Sequence, residues 1–358
     1  MRSSGQSSIG SDARAAGGVT KPPPGLYLHV PGLLGPMPRG APDLLSPDTA
    51  ANLTALLSRA GRQPGGRVSA FLRYLDAVAG GALAAYGAHL EGAASYWMRA
   101  APIRLEADRD TLVLLGPEVL RLTDDEAGFL CRELNGHFAA DGIVFHALAA
   151  DNWLVELECE APDLRLQSLE EVRGRRLFEQ LPGGADASRW IRHLNELQMV
   201  LHASGVSESR EQAGLPRVNG VWLWSGGRLP DAFPPVWDRV ASDDVVHRGV
   251  ARLAGQSAES PSDPVTLCRY AAAGEAVLVS LPGAPRPTDG PGFREWEQWL
   301  QELDRSWMGP FRAALRDGIV PALHICGRPG LEWHCRRWDR LRVWRPGRTL
   351  ASLIEVDR

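Results

Sequence analysis

The sequence predicts a mixed α/β protein, with a mostly parallel sheet, helices on both faces and an inserted α+β module. Two observations carry this. The runs "EAVLVSL" (275–281) and "IVPALHIC" (319–326) are continuously apolar and flank a helical stretch, and strands apolar on both sides are buried on both faces. Residues 96–160, by contrast, read β-β-α-β-β, the order of a compact α+β unit between helical flanks.

The elements follow in order. Residues 1–24 are small, polar and Gly/Pro-rich, lack the apolar core of a signal peptide and read as a disordered tail. A first strand is expected at "LYLHV" (26–30), followed by the loop "PGLLGPMPRG", in the position where open α/β sheets bind ligands. A helix over 48–60 has Leu53, Leu56 and Leu57 as its apolar stripe, and a second helical stretch covers 67–91. "PIRLEADRDTLVLL" (102–115) alternates on both sides of a polar "ADRD" turn and predicts a hairpin. Thr123 and Glu126 stand at capping-box spacing and start a helix, and "GIVFHAL" and "NWLVELE" complete the module as strands.

Residues 186–203 are an amphipathic helix with Trp190, Ile191, Leu194, Leu197 and Leu201 on one face and Asp186 as its cap. The strand "VNGVWLW" and a helix at "DDVVHRGVARLAG" come next. "REWEQWLQELDRSW" is a helix expected to end near Pro310, with Trp296, Trp299 and Trp307 near one face. The expected organisation is a core of 25–95 and 166–358 with 96–165 as the insert.

The chain has 358 residues, 44% hydrophobic and 23% charged, with a net charge of −4, so no global field favours nucleic acid or acidic membranes. No apolar run approaches a membrane span. Lys21 is the only lysine; all other cations are arginine. Five widely spaced cysteines argue for a reducing, cytoplasmic setting rather than a disulfide framework.

Two stretches could carry chemistry. In "WLWSGGRLP", Trp222 and Trp224 share a strand face, for which core packing is the simpler reading. The turn Gly226–Gly227 with Arg228, and Asn219 at the strand's start, could instead form an anion site. In "HICGRPGLEWHC" (324–335), His324, Cys326, His334 and Cys335 are four conceivable zinc donors. Adjacent His334 and Cys335 diverge on an extended strand, and the spacing matches no common zinc module.

"SGVSESREQAGLPRVNGVWLWSGGRLP" (204–230) resembles the archaeal-type cofactor-independent phosphoglycerate mutases of the alkaline phosphatase superfamily. That family has an asparagine-arginine pair, a Gly-Leu-Pro-Pro-Ala-Asn turn, a Trp-Leu-Trp strand and Gly-x-Gly-x-x-Pro in like order. "LTDDEAGFLCRELNGHF" is similar to a helix of the family's inserted domain, and "DTAANLTALLSRA" to the segment after its nucleophile. The "ADRD" run and the "WLWSGGRLP" turn are closer still to a bacterial offshoot, the regulation-of-pathogenicity-factors E-type regulatory proteins.

The resemblance implies an alkaline-phosphatase-like sheet, a hydroxyl nucleophile and two divalent metals about 4 Å apart caged by Asp and His. It also makes Arg210 the counterpart of a family arginine, a second arm beside Arg228. This sequence departs from the metal pattern repeatedly. The first-strand loop "HVPGLLGPMP" has no carboxylate, the nucleophile pair falls on Asp48–Thr49, and "TDGPGF" keeps Asp289 but has Phe293 in place of histidine. The late strand keeps His324 without an aspartate, and His334 is left as the last ligand.

The reading is therefore a non-catalytic regulatory protein with a degenerate metal site and no cofactor. No metal is expected, with Asp289, His324 and His334 left as the candidates from the family pattern; Arg210, Asn219, Gly226, Gly227 and Arg228 form the candidate anion site. One alternative is an active mutase or phosphatase, in which Asp48, Asp289, His324 and His334 converge and Asp43 or Asp304 joins them. The other is a sensor of a phosphorylated metabolite. The expected partner is another protein or such a metabolite, with neither nucleic acid nor membrane.

Overall fold

The computed structural model describes residues 20–35, 37, 45, 46, 48–90, 95–108, 111–158, 160–285, 291–328, 330–342, 344 and 347–354. Expectations for the tail before residue 20, for Asp43 and for Asp289 fall outside them. Along the chain run β1 (Gly25–His29), α1 (Ala51–Leu57), β2 (Gly61–Pro64), α2 (Arg67–Val78) and α3 (Gly80–Gly87). Next are β3 (Tyr96–Asp108), β4 (Thr111–Leu115), α4 (Asp124–Phe138), β5 (Ile143–Ala149), β6 (Asn152–Leu157) and α5 (Leu169–Val172). Then come α6 (Ala187–Ala203), α7 (Gly205–Gln212), β7 (Gly220–Gly227), β8 (Arg239–Ser242), α8 (Val245–Leu253), β9 (Ala258–Glu259), α9 (Pro264–Ala272) and β10 (Ala276–Ser280). The chain continues through α10 (Pro291–Leu303), a π-helical turn (Asp304–Met308), α11 (Gly309–Asp317), β11 (Leu323–Arg328), β12 (Leu331–Cys335), a 3-10 helix (Arg337–Leu341) and α12 (Leu350–Leu353).

These elements form two compact units. The first comprises 1–73, 234–243 and 254–358, and the second 74–233 and 244–253. The first holds a seven-stranded sheet ordered β2-β12-β11-β1-β10-β8-β9. β1 pairs in parallel with β10 and β11, and β8 with β10 and β9. Only β12 and β2 run antiparallel at one edge. This is the mostly parallel sheet with helices that the apolar strands predicted. Leu26, Leu28, Val277, Val279, Leu323 and Ile325 enter one core with side chains of α1, α9, α10 and α11. Each such fully buried aliphatic contributes about 1.5–3 kcal/mol. On the other face, Phe71 of α2 packs edge-on against Trp237, which in turn packs on Tyr27 of β1.

The second unit has the strand order β4-β3-β6-β5, with β7 also paired to β3. The β-β-α-β-β reading matches its centre, and both parts of the Thr123/Glu126 capping box form. Its bounds are wider than the expected 96–165 insert. The Trp-Leu-Trp strand, expected in the core, is β7, and it pairs antiparallel with β3 from Ile103↔Gly220 to Trp97↔Gly227. Its alternation explains this. Trp222 and Trp224 fill one cluster with Ile103, Leu105 and Leu114, while Val221 and Leu223 enter another with Trp153 and Trp190.

Three local expectations are corrected. The 67–91 stretch is two helices, α2 and α3, rather than one. The tryptophan helix does not stop near Pro310: after the π turn the chain resumes as α11, with a proline in the first turn, where a missing amide donor costs nothing. Asp186 stands at the N-cap of α6 without a side-chain capping bond. It accepts instead from the Asp163 amide at 2.9 Å.

Candidate functional site

The carboxyl ends of the parallel strands are where an open α/β sheet presents its ligand groups. Register fixes what stands there. His29 of β1 is opposite Ser280 of β10 and Cys326 of β11, and Ser280 is opposite Ser242 of β8. One cross-strand row therefore reads Ser242, Ser280, His29, Cys326 and, on the antiparallel neighbour β12, Glu332: two hydroxyls, an imidazole, a thiol and one carboxylate. His29 Nδ1 lies 3.1 Å from Ser280 Oγ, so neighbours in the row bond each other. Cys326 and Ser280 are buried.

The next row inward holds Tyr27, His324 and His334 at mutually registered positions. Their rings form one stack, His324 to Tyr27 at 4.3 Å and to His334 at 4.2 Å between centroids. His324 and His334, the two metal candidates inside the described residues, are thus brought together, but face to face rather than converging on a point. His324 Nδ1 donates to Glu332 Oε1 at 2.8 Å, and Arg336 Nε donates to His334 Nε2 at 3.3 Å. Burial, aided by His324 and Arg336 alongside, drives the His334 imidazole down to about 4, so it stays neutral at ordinary pH. Burial also pushes the Tyr27 phenol up to about 12, and its hydroxyl donates to the Pro23 carbonyl at 2.9 Å.

Glu332 is the residue that sequence reasoning missed. It is 1% exposed, and its second oxygen accepts from the Val68 amide at 2.9 Å, which caps the start of α2. A Cβ on Gly66 would meet this side chain at 2.4 Å, so glycine is required there. The available signal was period two: Glu332 and His334 stand two apart on a strand, hence on one face.

The other expected ligands are committed elsewhere. Asp304 accepts from the Leu53 amide at 2.7 Å and the Asn52 amide at 3.1 Å, capping the first turn of α1, which has no capping side chain of its own. Asp48 is exposed, and the Thr49 hydroxyl donates to Glu297 at 3.2 Å. The zinc reading fails on geometry. Cys335 faces the apolar core, where burial raises its thiol and its sulfur lies 3.6 Å from the Leu56 carbonyl, while His334 lies in the ring stack. Among the described residues, no three His, Cys, Asp or Glu side chains converge on a point. Hard divalent ions take anionic oxygen donors, and the groups among the described residues do not fit a pair of them.

The anion site is also rearranged. Arg210 is 2% exposed and turned inward. It donates to Glu126 at 2.8 Å, to the Pro216 carbonyl at 2.8 Å and to the Leu120 carbonyl. Burial alone would raise Glu126, yet the Thr123 amide and Arg210 hold its carboxyl below the usual range. Asn219 clips to the backbone of Leu105, accepting at 2.7 Å and donating at 2.8 Å. Gly226 is required by Tyr96, whose hydroxyl would lie 2.3 Å from an added Cβ, and Gly227 pairs with Trp97. Arg228 is exposed at the far end of β7, an eight-residue strand spanning roughly 25 Å, while Arg210 binds near its beginning. The two arginines do not form a clamp.

No family model matches the chain. It is similar to the probable 2,3-bisphosphoglycerate-independent phosphoglycerate mutase of Geobacter sulfurreducens, 25% identical over 139 residues, 39% of this chain and 35% of that protein. It is also similar to the 2,3-bisphosphoglycerate-independent phosphoglycerate mutase of Methanosarcina barkeri, 24% identical over 121 residues, 32% of this chain and 29% of that protein. The chain thus spans about a third of the length of these curated relatives. The PH0037 protein from Pyrococcus horikoshii shares the fold, with a TM-score of 0.51 at 14% identity over 92% of each chain. The cofactor-independent phosphoglycerate mutase from Thermoplasma acidophilum aligns over 92% of this chain and 94% of its own, with a TM-score of 0.43 at 14% identity. The chain is a distant homologue of cofactor-independent phosphoglycerate mutase.

Proposed function

We propose that this chain is a non-catalytic regulatory protein built on a phosphoglycerate-mutase-like fold, of the kind the regulation-of-pathogenicity-factors E-type resemblance implies. The observation that carries the reading is the strand-end row Ser242, Ser280, His29, Cys326, Glu332, whose one carboxylate is already bonded within the fold. Phosphoryl transfer by a two-metal site needs carboxylates and imidazoles arranged to neutralise the attacking and leaving oxygens. Hydroxyls and a buried thiol bring no charge to that task. Glu332, registered opposite Cys326, is held by His324 and the Val68 amide, and Asp243, next to Ser242 in the chain, accepts from the Ser260 hydroxyl at 2.6 Å. Asp304 holds a helix start.

The sensor reading loses support because Arg210 is fully bonded within its own unit. The test is an assay of 3-phosphoglycerate interconversion on the purified chain, with manganese, cobalt or magnesium supplied in turn. The expected result is no turnover above the protein-free blank. Metal-dependent formation of 2-phosphoglycerate that scales with protein concentration would overturn the proposal.

A further inference from the structure

The segment "RRWDRLR" (336–342) carries four arginines and one aspartate in a chain whose net charge is −4. The aspartate does not oppose them at the surface. Asp339 is 6% exposed, accepts from the Arg336 amide at 2.8 Å and pairs with Arg342 at 2.9 Å. Arg336, Arg337 and Arg340 are exposed. In a 3-10 helix side chains three apart eclipse one another, so Arg337–Leu341 displays two stripes, Trp338 with Leu341 and Arg337 with Arg340. Trp338 is 61% exposed and Leu341 53%, and Trp344 just beyond the helix is 75% exposed. The Arg337 guanidinium lies 5.1 Å from the Trp338 ring centroid and beside Gly318, next to exposed Ile319. Asp317, which also feels the Arg337 charge, is paired with Arg316 at 2.8 Å.

We propose that this aromatic and cationic patch docks the protein on an anionic phospholipid surface. Tryptophan rings settle at headgroup level, leucine enters the acyl boundary, and arginines meet lipid phosphates while their stems cover apolar surface. The global charge argued against membranes, but the field a bilayer feels within a Debye length is the local one. Leu341 between two tryptophans offers no stacking face and disfavours single-stranded nucleic acid. The inference is independent of whether the chain has mutase activity.

The test is co-sedimentation of the full chain with phosphatidylcholine vesicles, alone and mixed with phosphatidylglycerol, at low and high salt. Polyuridylate and polyglutamate serve as soluble anions in parallel. Sedimentation should require phosphatidylglycerol and fall at high salt. Arg337→Glu/Arg340→Glu should weaken it on the order of tenfold or more. Trp338→Ala/Trp344→Ala should weaken it at both salt concentrations. Circular dichroism checks that these surface variants fold. The proposal is overturned if wild type ignores anionic vesicles, if both folded variants sediment like wild type, or if a soluble anion binds while vesicles do not.

Discussion

Arg210 uses every guanidinium nitrogen inside one unit, on a carboxylate and two carbonyls. Its replacement by methionine leaves Glu126 and the Leu120 and Pro216 carbonyls without their donor. Losing one partner of a buried pair costs about 3–5 kcal/mol, so Arg210→Met should lower the urea midpoint markedly. An arginine serving only as an anion arm would instead leave the midpoint near wild type. His334 gives a pH signature. Its folded value of about 4 lies below the ordinary histidine value of 6.5, so between these pH values the unfolded chain takes up a proton that the folded chain refuses. The contribution is fully present above about 6.5 and is lost as pH falls towards 4. With the partly exposed ring discounted for solvent screening, the loss is about 1–2 kcal/mol. Denaturation curves across this range should be flatter for His334→Gln than for wild type. Identical slopes would remove the imidazole from the account.

At the scale of elements, α3 and α8 meet within the second unit through glycines. A Cβ at Gly249 would lie 1.9 Å from the Leu83 carbonyl, and one at Gly87 would lie 1.9 Å from the Val245 carbonyl. Backbone cannot yield as a side-chain tip can, so Gly249→Ala should destabilise by about 1–3 kcal/mol or more, read from thermal unfolding. Asp304→Ala should cost about 0.5–2 kcal/mol through the lost cap of α1. Much of this level was legible in the sequence, because period and capping are local. The Thr123/Glu126 box, the Leu53, Leu56 and Leu57 stripe and the antiparallel pairing of β3 with β4 all formed. What could not be read was set by distant partners. β7 looks like a core strand until β3 is seen to claim it, and Asp304 looks like a ligand until the bare start of α1 is placed beside it. Glu332 was hidden for the same reason, since its amide partner Val68 lies 264 residues away.

For the whole molecule, the distant homology to the mutases and the chemistry of the strand ends point in different directions, and the account follows the chemistry. A mutase-like sheet is retained, with β1 between β10 and β11 and its apolar rows filled. The strand-end row carries one carboxylate, Glu332, bonded to His324 and the Val68 amide, and the inner row of Tyr27, His324 and His334 forms an aromatic stack. The most direct test is the metal content of the purified chain after equilibration with manganese and removal of the unbound ion, measured by plasma mass spectrometry. The account predicts close to no manganese per chain. Two tightly held ions per chain would contradict it.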